Sequence, residues 1–218
     1  MTRLFSHRGF VQGNILQNSV ASLYEARKNG FKAIEFDIWF LEGKLFLKHD
    51  LPCEMELKNL PRFCDYFPFG NDLDYWLDFK NLDERNVADA LNLVKKEIGE
   101  AMINMDQIYF APCITDYKTA EEIFVKVKEV FGEKVNLVAF CRELKNEESV
   151  KVLRDFLTKN KVKYLSILHQ LLDERFIEDF KDIEIFAWTV NDLERLRDLE
   201  KIGVKNFATD KIVPEMIK

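Results

Sequence analysis

From Ile34 to Phe40 apolar and polar positions alternate: Ile34, Phe36, Ile38 and Phe40 fall on one side of the chain, Glu35, Asp37 and Trp39 on the other. A period of two marks a β-strand with one packed face. Glu42-Gly43-Lys44 reads as a tight turn and Leu45 to His49 as a returning strand, so residues 33–50 are expected to form a hairpin-like unit. The chain continues as an alternation, with short strands expected at residues 3–9, 75–81, 107–113, 136–144, 164–169, 184–191 and 206–210. Helical spacing of apolar residues falls between them, at 18–30, 84–99, 119–132, 148–160, 173–181 and 192–203. Asn18 stands where a helix N-cap belongs and Gly30 where a helix stops.

Strands that alternate with helices imply a parallel sheet, and eight such units predict an α/β fold, a closed (β/α)8 TIM barrel in one domain over residues 1–218. An open doubly wound sheet is the competing arrangement, but the first strand is not followed by a GxGxxG turn and a dinucleotide site has no support. The least regular stretch, 51–74 with Pro52, Pro61, Pro68 and Gly70, reads as a loop or short-helix excursion at the barrel rim.

The length of 218 residues suits one full core, and 47% hydrophobic with 32% charged residues is ordinary for a soluble globular protein. A net charge of −6 argues against nucleic acid or an anionic membrane surface as the main partner, so an anionic substrate has to be met by local cations. No apolar run is long enough for a signal peptide or for membrane insertion. Cys53, Cys64, Cys113 and Cys141 lack CxxC spacing and suit a reducing compartment, with the cytoplasm expected.

Barrel enzymes work at the carboxyl ends of their strands, and there the awkward polar residues of this chain collect. His7-Arg8 closes the first predicted strand, Glu35 and Asp37 lie toward the end of the second, and His49-Asp50 ends its return. Asp78-Phe-Lys80 ends the third, His169 the sixth, Thr189-Val-Asn191 the seventh and Thr209-Asp210 the eighth. Two carboxylates on one strand face repel each other and are costly to desolvate, so they call for a cation, and a divalent metal supplies it. His7 and His49 suit a general acid and base, and Arg8 offers a fork matched to phosphate oxygens. Asp78 and Lys80 add a carboxylate and an ammonium to the same mouth, or else form a salt bridge inside the barrel; a Schiff-base role for Lys80 is disfavoured because the acids keep it charged. Trp188 and Trp39 line a pocket or fill the core. Together these groups suit metal-assisted cleavage of a phosphodiester.

The ordered set His7-Arg8-Gly9, Glu35-Phe-Asp37, His49-Asp50, Asp78-Phe-Lys80, Trp188-Thr-Val-Asn191 and Thr209-Asp210 resembles the glycerophosphodiester phosphodiesterases. The resemblance spans the chain, is densest over residues 3–50 and is weak between about 107 and 170. It implies a (β/α)8 barrel, one divalent cation held by Glu35, Asp37 and Asp78, and His7 and His49 as the acid–base pair. It implies Arg8 and Lys80 as phosphate contacts, with Asn18 and Trp188 added as substrate-binding positions. Mg2+ is expected over Ca2+, with a small-molecule phosphodiester as substrate. Two departures stand out: Leu16-Gln17-Asn18-Ser19 replaces a Pro-Glu-Asn-Thr pattern, and Asp78 replaces a glutamate one methylene longer. The segment from His49 to Asp78 is also shorter than the family's capping insertion, which predicts an open mouth. Metal-independent cleavage of the phosphoinositide type and a non-catalytic barrel that binds a phosphorylated ligand are the alternative readings.

Overall fold

The computed structural model describes residues 2–67 and 72–217. Among these residues the strands are β1 (Arg3–His7), β2 (Ala33–Leu41), β3 (Lys44–Leu47), β4 (Asp74–Phe79), β5 (Ile108–Pro112), β6 (Asn136–Cys141), β7 (Tyr164–Leu168), β8 (Glu184–Trp188) and β9 (Asn206–Thr209). All but β3 pair in parallel, and because β1 pairs with both β2 and β9 the sheet closes on itself. The result is an eight-stranded parallel barrel, and β3 lies antiparallel on β2 as the return of the predicted hairpin.

Among the described residues six α-helices run between the strands: α1 (Val20–Lys28), α2 (Val87–Glu100), α3 (Tyr117–Phe131), α4 (Glu147–Asn160), α5 (Glu174–Asp179) and α6 (Leu193–Lys201). Short polar caps start most of them. Asp116, Asn146, Asp173 and Asp192 each accept a backbone N–H of the first turn, which satisfies a donor that helix geometry leaves unpaired. The cap of α1 is Ser19 rather than the expected Asn18. The Ser19 side chain accepts from the Ser22 backbone in a capping box, while Asn18 takes a left-handed backbone (φ 57°) one residue earlier and turns its amide inward.

The strand period sorts side chains into two layers. Outward residues such as Ile34, Phe36, Ile38, Leu77 and Phe110 belong to the core layer that surrounds the barrel. Inward residues Phe5, Ala33, Trp76, Tyr109, Val138, Phe186 and Ala208 fill the barrel, with Phe5 edge-on to Trp76 at 5.6 Å. Below them Arg3 donates to the Tyr109 hydroxyl at 2.5 Å and pairs with Asp74 at 3.3 Å, so the amino-terminal end is plugged. Polar chemistry is left to the other end.

Among the described residues the excursion predicted at 51–74 includes the 3-10 turns Leu57–Asn59 and Phe63–Asp65; Pro68 and Gly70 lie outside the described residues. It does more than edge the rim. Among the described residues no α-helix follows β2 and β3 before β4, and Phe63 and Tyr66 cover the outer face of β2 instead, with Tyr66 4.9 Å from Phe36. Among the described residues no helix is long and apolar enough to cross a membrane.

Candidate active site

The site begins where β1 ends. Arg8 (φ 59°) and Gly9 (φ 74°) both take left-handed backbone and reverse the chain over the mouth. Arg8 N–H donates to the Glu35 carbonyl at 2.8 Å and lies 3.0 Å from Glu35 Oε2. The turn packs against the start of α1, where the Ser22 hydroxyl lies 3.1 Å from the Arg8 carbonyl. A Cβ on Gly9 would fall 2.2 Å from Ser22 Oγ and 2.8 Å from backbone, so glycine is required there for space as well as for φ.

β2 and β4 are neighbours in register, with Asp37 beside Asp78. Glu35, Asp37 and Asp78 therefore converge, each bringing a carboxylate oxygen within 4.8 Å of the others. Glu35 and Asp37 are buried at 3% and 0% exposure. Lys80 lies between the two aspartates, its Nζ 2.7 Å from Asp37 Oδ1 and 2.5 Å from Asp78 Oδ2. Arg8 Nε stands 3.1 Å from Asp37 Oδ2, the same oxygen that accepts from Asn18 Nδ2 at 2.7 Å. Asn18 Oδ1 in turn accepts the Asp37 backbone N–H at 3.1 Å. Asn18, expected at the substrate, is 1% exposed and has both amide atoms engaged with Asp37.

These surroundings push the three acids apart. Burial, with Asp37 adding repulsion, raises the Glu35 carboxyl to about 7. Burial acts on Asp37 in the same direction, but Lys80 and Arg8 outweigh it and hold that carboxyl below its ordinary range. Asp78 is raised, chiefly by burial, with Lys80 opposing. Burial disfavours the charged form of Lys80, yet Asp78 and Asp37 prevail and the ammonium is held above its ordinary value. Lys80 thus serves both aspartates, with Arg8 as a second cation on Asp37, and the Glu35 carboxyl is left partly uncompensated.

Each histidine of the mouth rests one ring nitrogen on a carboxylate. His7 Nδ1 lies 2.7 Å from Asp210 Oδ1, and its Nε2 is 3.8 Å from Glu35. Asp210 is held by Asn191, whose Nδ2 donates to Oδ2 at 2.8 Å and whose Oδ1 accepts the Asp210 N–H at 2.7 Å. Burial lowers the His7 pKa, but Glu35 and Asp210 overcome that and leave it raised. His49 follows β3 with a side chain 39% exposed and its Nδ1 2.8 Å from Asp50. Such contacts orient the rings and present Nε2 for proton transfer.

A cavity of about 230 Å3 unites these groups: His7, Arg8, Glu35, His49, Asp78 and Lys80 line one side. The far wall comes from Trp76, Cys113, Phe140, Arg142, Ser166 and Trp188. Trp188 stacks on Phe140 with ring centres 5.6 Å apart. Of that wall only Trp188 was marked by sequence; the others sit at inward or end positions of β4 to β7, which strand register alone reveals. His169 is not among the cavity-lining residues; its carbonyl accepts from Arg195 at 2.5 Å. Trp39 Nε1 donates to the Lys48 carbonyl at 2.9 Å and braces the hairpin. A larger open groove of about 610 Å3 between α4 and α5 contains none of the converging acids, and the chemistry points to the smaller cavity.

Asp78 Oδ1 is buried without a hydrogen-bond partner, and the three acids offer oxygen ligands only. Buried oxygens in that arrangement fit a hard divalent ion such as Mg2+ or Ca2+.

No protein-family model and no curated protein matches the chain. Solved structures do. A glycerophosphodiester phosphodiesterase from Parabacteroides distasonis superposes with a TM-score of 0.75 at 20% identity, over 96% of this chain and 92% of that one. This chain has the fold of the glycerophosphodiester phosphodiesterases. An Oleispira antarctica phosphodiesterase, solved with the product sn-glycerol-3-phosphate, matches with a TM-score of 0.78 at 17% identity, over 95% of this chain and 92% of its own. A calcium-dependent phosphoinositol-specific phospholipase C from a Gram-negative Pseudomonas shares the fold more distantly, with a TM-score of 0.58 at 10% identity over 95% and 88% of the two chains.

Proposed function

We propose that this chain is a divergent glycerophosphodiester phosphodiesterase, a metal-dependent hydrolase that splits a glycerophosphodiester, or a related polyol or sugar phosphodiester, into a phosphomonoester and an alcohol. The observation that carries this reading is the convergence of Glu35, Asp37 and Asp78 within 4.8 Å at adjacent strand ends, inside a cavity that also holds two histidines, an arginine and a lysine. The shared fold supports it.

Glu35, Asp37 and Asp78 would hold the cation, Mg2+ rather than Ca2+, which when bound polarises a phosphoryl oxygen and a hydroxyl. The remaining work falls to the chain's own side chains. Arg8 and Lys80 take up charge on the phosphoryl oxygens. His7, oriented by Asp210, and His49, oriented by Asp50, exchange protons with the attacking and departing oxygens. Trp188 lines the pocket for the substrate's organic part. The cavity, below the roughly 300–1,000 Å3 of drug-sized sites, suits a small polar diester. A cytoplasmic setting is proposed with it, on the strength of four free cysteines.

The test is turnover of a panel of phosphodiesters with Mg2+, with Ca2+ and with a strong chelator. Activity that appears with Mg2+ and vanishes on chelation is expected. A second reading has one observation in its favour: Lys80 already bridges Asp37 and Asp78 and compensates both without an ion. Undiminished turnover in chelator would select that metal-independent form, and no turnover of any diester would reject both.

A further inference from the structure

Five cationic or titratable basic side chains line the cavity, and four of them face carboxylates: His7 on Asp210, Arg8 on Asp37, His49 on Asp50, and Lys80 on Asp37 and Asp78. The fifth, Arg142, has no hydrogen bond or ion pair among the described residues. It directly follows β6 and emerges from the same wall as Phe140, two residues earlier on the inward face.

Its position relative to the acids follows from register. β5 pairs with β4 on one side (Asp78 beside Ala111) and with β6 on the other (Phe110 beside Leu137). Continued to the strand ends, this register sets Lys80 opposite Cys113 and Cys113 opposite Phe140, so Arg142 stands two strand spacings across the wall and two residues further along, about 12 Å from Lys80 at the backbone. The Cys113 thiol between them is raised to about 11, mainly by burial and then by Asp78, while Lys80 and Arg142 both oppose the rise. That places Arg142 within electrostatic reach of the same space as the acids, on the side away from the histidines. Next to it the stacked Phe140 and Trp188 rings offer a flat apolar floor.

A diester bound with its phosphoryl group at Arg8 and Lys80 has to lay one of its two arms along this wall. An unpaired guanidinium there binds phosphate or carboxylate through a planar fork and repels an ammonium. We propose that Arg142, over the Phe140–Trp188 stack, forms a second subsite that selects phosphodiesters whose far arm carries an anionic group. The proposal rests on the hydrolytic reading given above for the site's position, and its binding test is independent of turnover.

Two matched pairs isolate the anionic group. Glycerophosphoserine differs from glycerophosphoethanolamine by a carboxylate, and glycerophosphoinositol 4-phosphate differs from glycerophosphoinositol by a phosphate. In the parent protein kcat/KM is expected to favour the anionic member of at least one pair by about 10- to 100-fold, the worth of a charge-assisted contact. Preference in the first pair identifies a carboxylate site, preference in the second a phosphate site. Arg142→Ala should collapse the preference and Arg142→Glu should reverse it. A preference that is absent from both pairs, or that survives both substitutions, overturns the subsite. Binding is read separately by calorimetry with sn-glycerol 3-phosphate and glycerol 1,3-bisphosphate. If no diester is turned over, the hydrolytic reading fails alone provided the bisphosphate binds more tightly to the parent and Arg142→Ala removes the difference. Equal affinities for the two probes in parent and variant sink the subsite as well.

Discussion

Replacing Asn18 with alanine separates a positioning role from a substrate contact. The substitution removes a buried bond of 2.7 Å to the Asp37 carboxylate and one of 3.1 Å from the Asp37 backbone N–H. A bond to a charged group is worth about 1.5–3 kcal/mol, and a buried N–H left without an acceptor costs about 1–3 kcal/mol. The left-handed backbone at Asn18 (φ 57°) adds a further cost of about 1 kcal/mol for alanine. The total, about 3.5–7 kcal/mol, corresponds to a fall in Tm of about 7–28 °C for a chain of this size. Asp37, 0% exposed and freed from its brace, should also hold a cation about 10- to 100-fold less tightly, as when other supports of a ligand are removed. Thermal unfolding of the metal-free protein and calorimetric titration with Mg2+ read the two effects independently. A variant that unfolds within about 2 °C of the parent, against the larger fall derived above, and changes only KM would refute the reasoning and return Asn18 to the substrate.

Other outcomes are expected at the remaining positions. His7→Ala and His49→Ala should each lower kcat by about 10²- to 10⁴-fold, with affinity for sn-glycerol 3-phosphate changed less; a fully active His49→Ala enzyme would leave that role without a holder. Metal titration of Glu35→Ala, Asp37→Ala and Asp78→Ala should nearly abolish binding at the first two and weaken it by about 10- to 100-fold at Asp78 if the shorter side chain acts through water; equal losses at all three would make Asp78 a direct ligand. Burial, with Glu100 nearby, raises Glu97 on α2 from 4.5 to about 7, so the folded state binds its proton more tightly than the unfolded chain. That contribution to stability is fully present below pH 4.5 and is lost as pH rises through about 7. Glu97→Gln should therefore gain in Tm over the parent between pH 5 and 8, by about 1–3 °C given the group's partial exposure; a difference that stays flat with pH would contradict this.

Much of the barrel was legible in local pattern because a strand period or a helix stripe is a short-range property. Each of the eight predicted strand units overlaps a strand of the barrel, and the hairpin turn at Glu42 and Gly43 joins β2 to β3 as read. Glu35 and Asp37 were marked as a pair needing a cation because strand geometry alone puts them on one face. What escaped were relations between residues far apart in the chain. His7 meets Asp210 across 203 positions, a contact that exists because β1 and β9 close the ring. Asn18 read as a helix cap because Asx residues before helices usually are one, and only the left-handed turn before α1, where the Asn18 N–H donates to the Arg8 carbonyl, aimed its amide at Asp37. The far wall of the cavity, with Arg142 among its residues, carries no local signature, since what makes it a wall is the register of β4, β5 and β6. The sequence by itself determined which segments become strands and helices and which side chains carry chemistry. The closed barrel decided which of those side chains meet, because the low-dielectric mouth where pKa values shift and charges pair is assembled from eight separate strand ends.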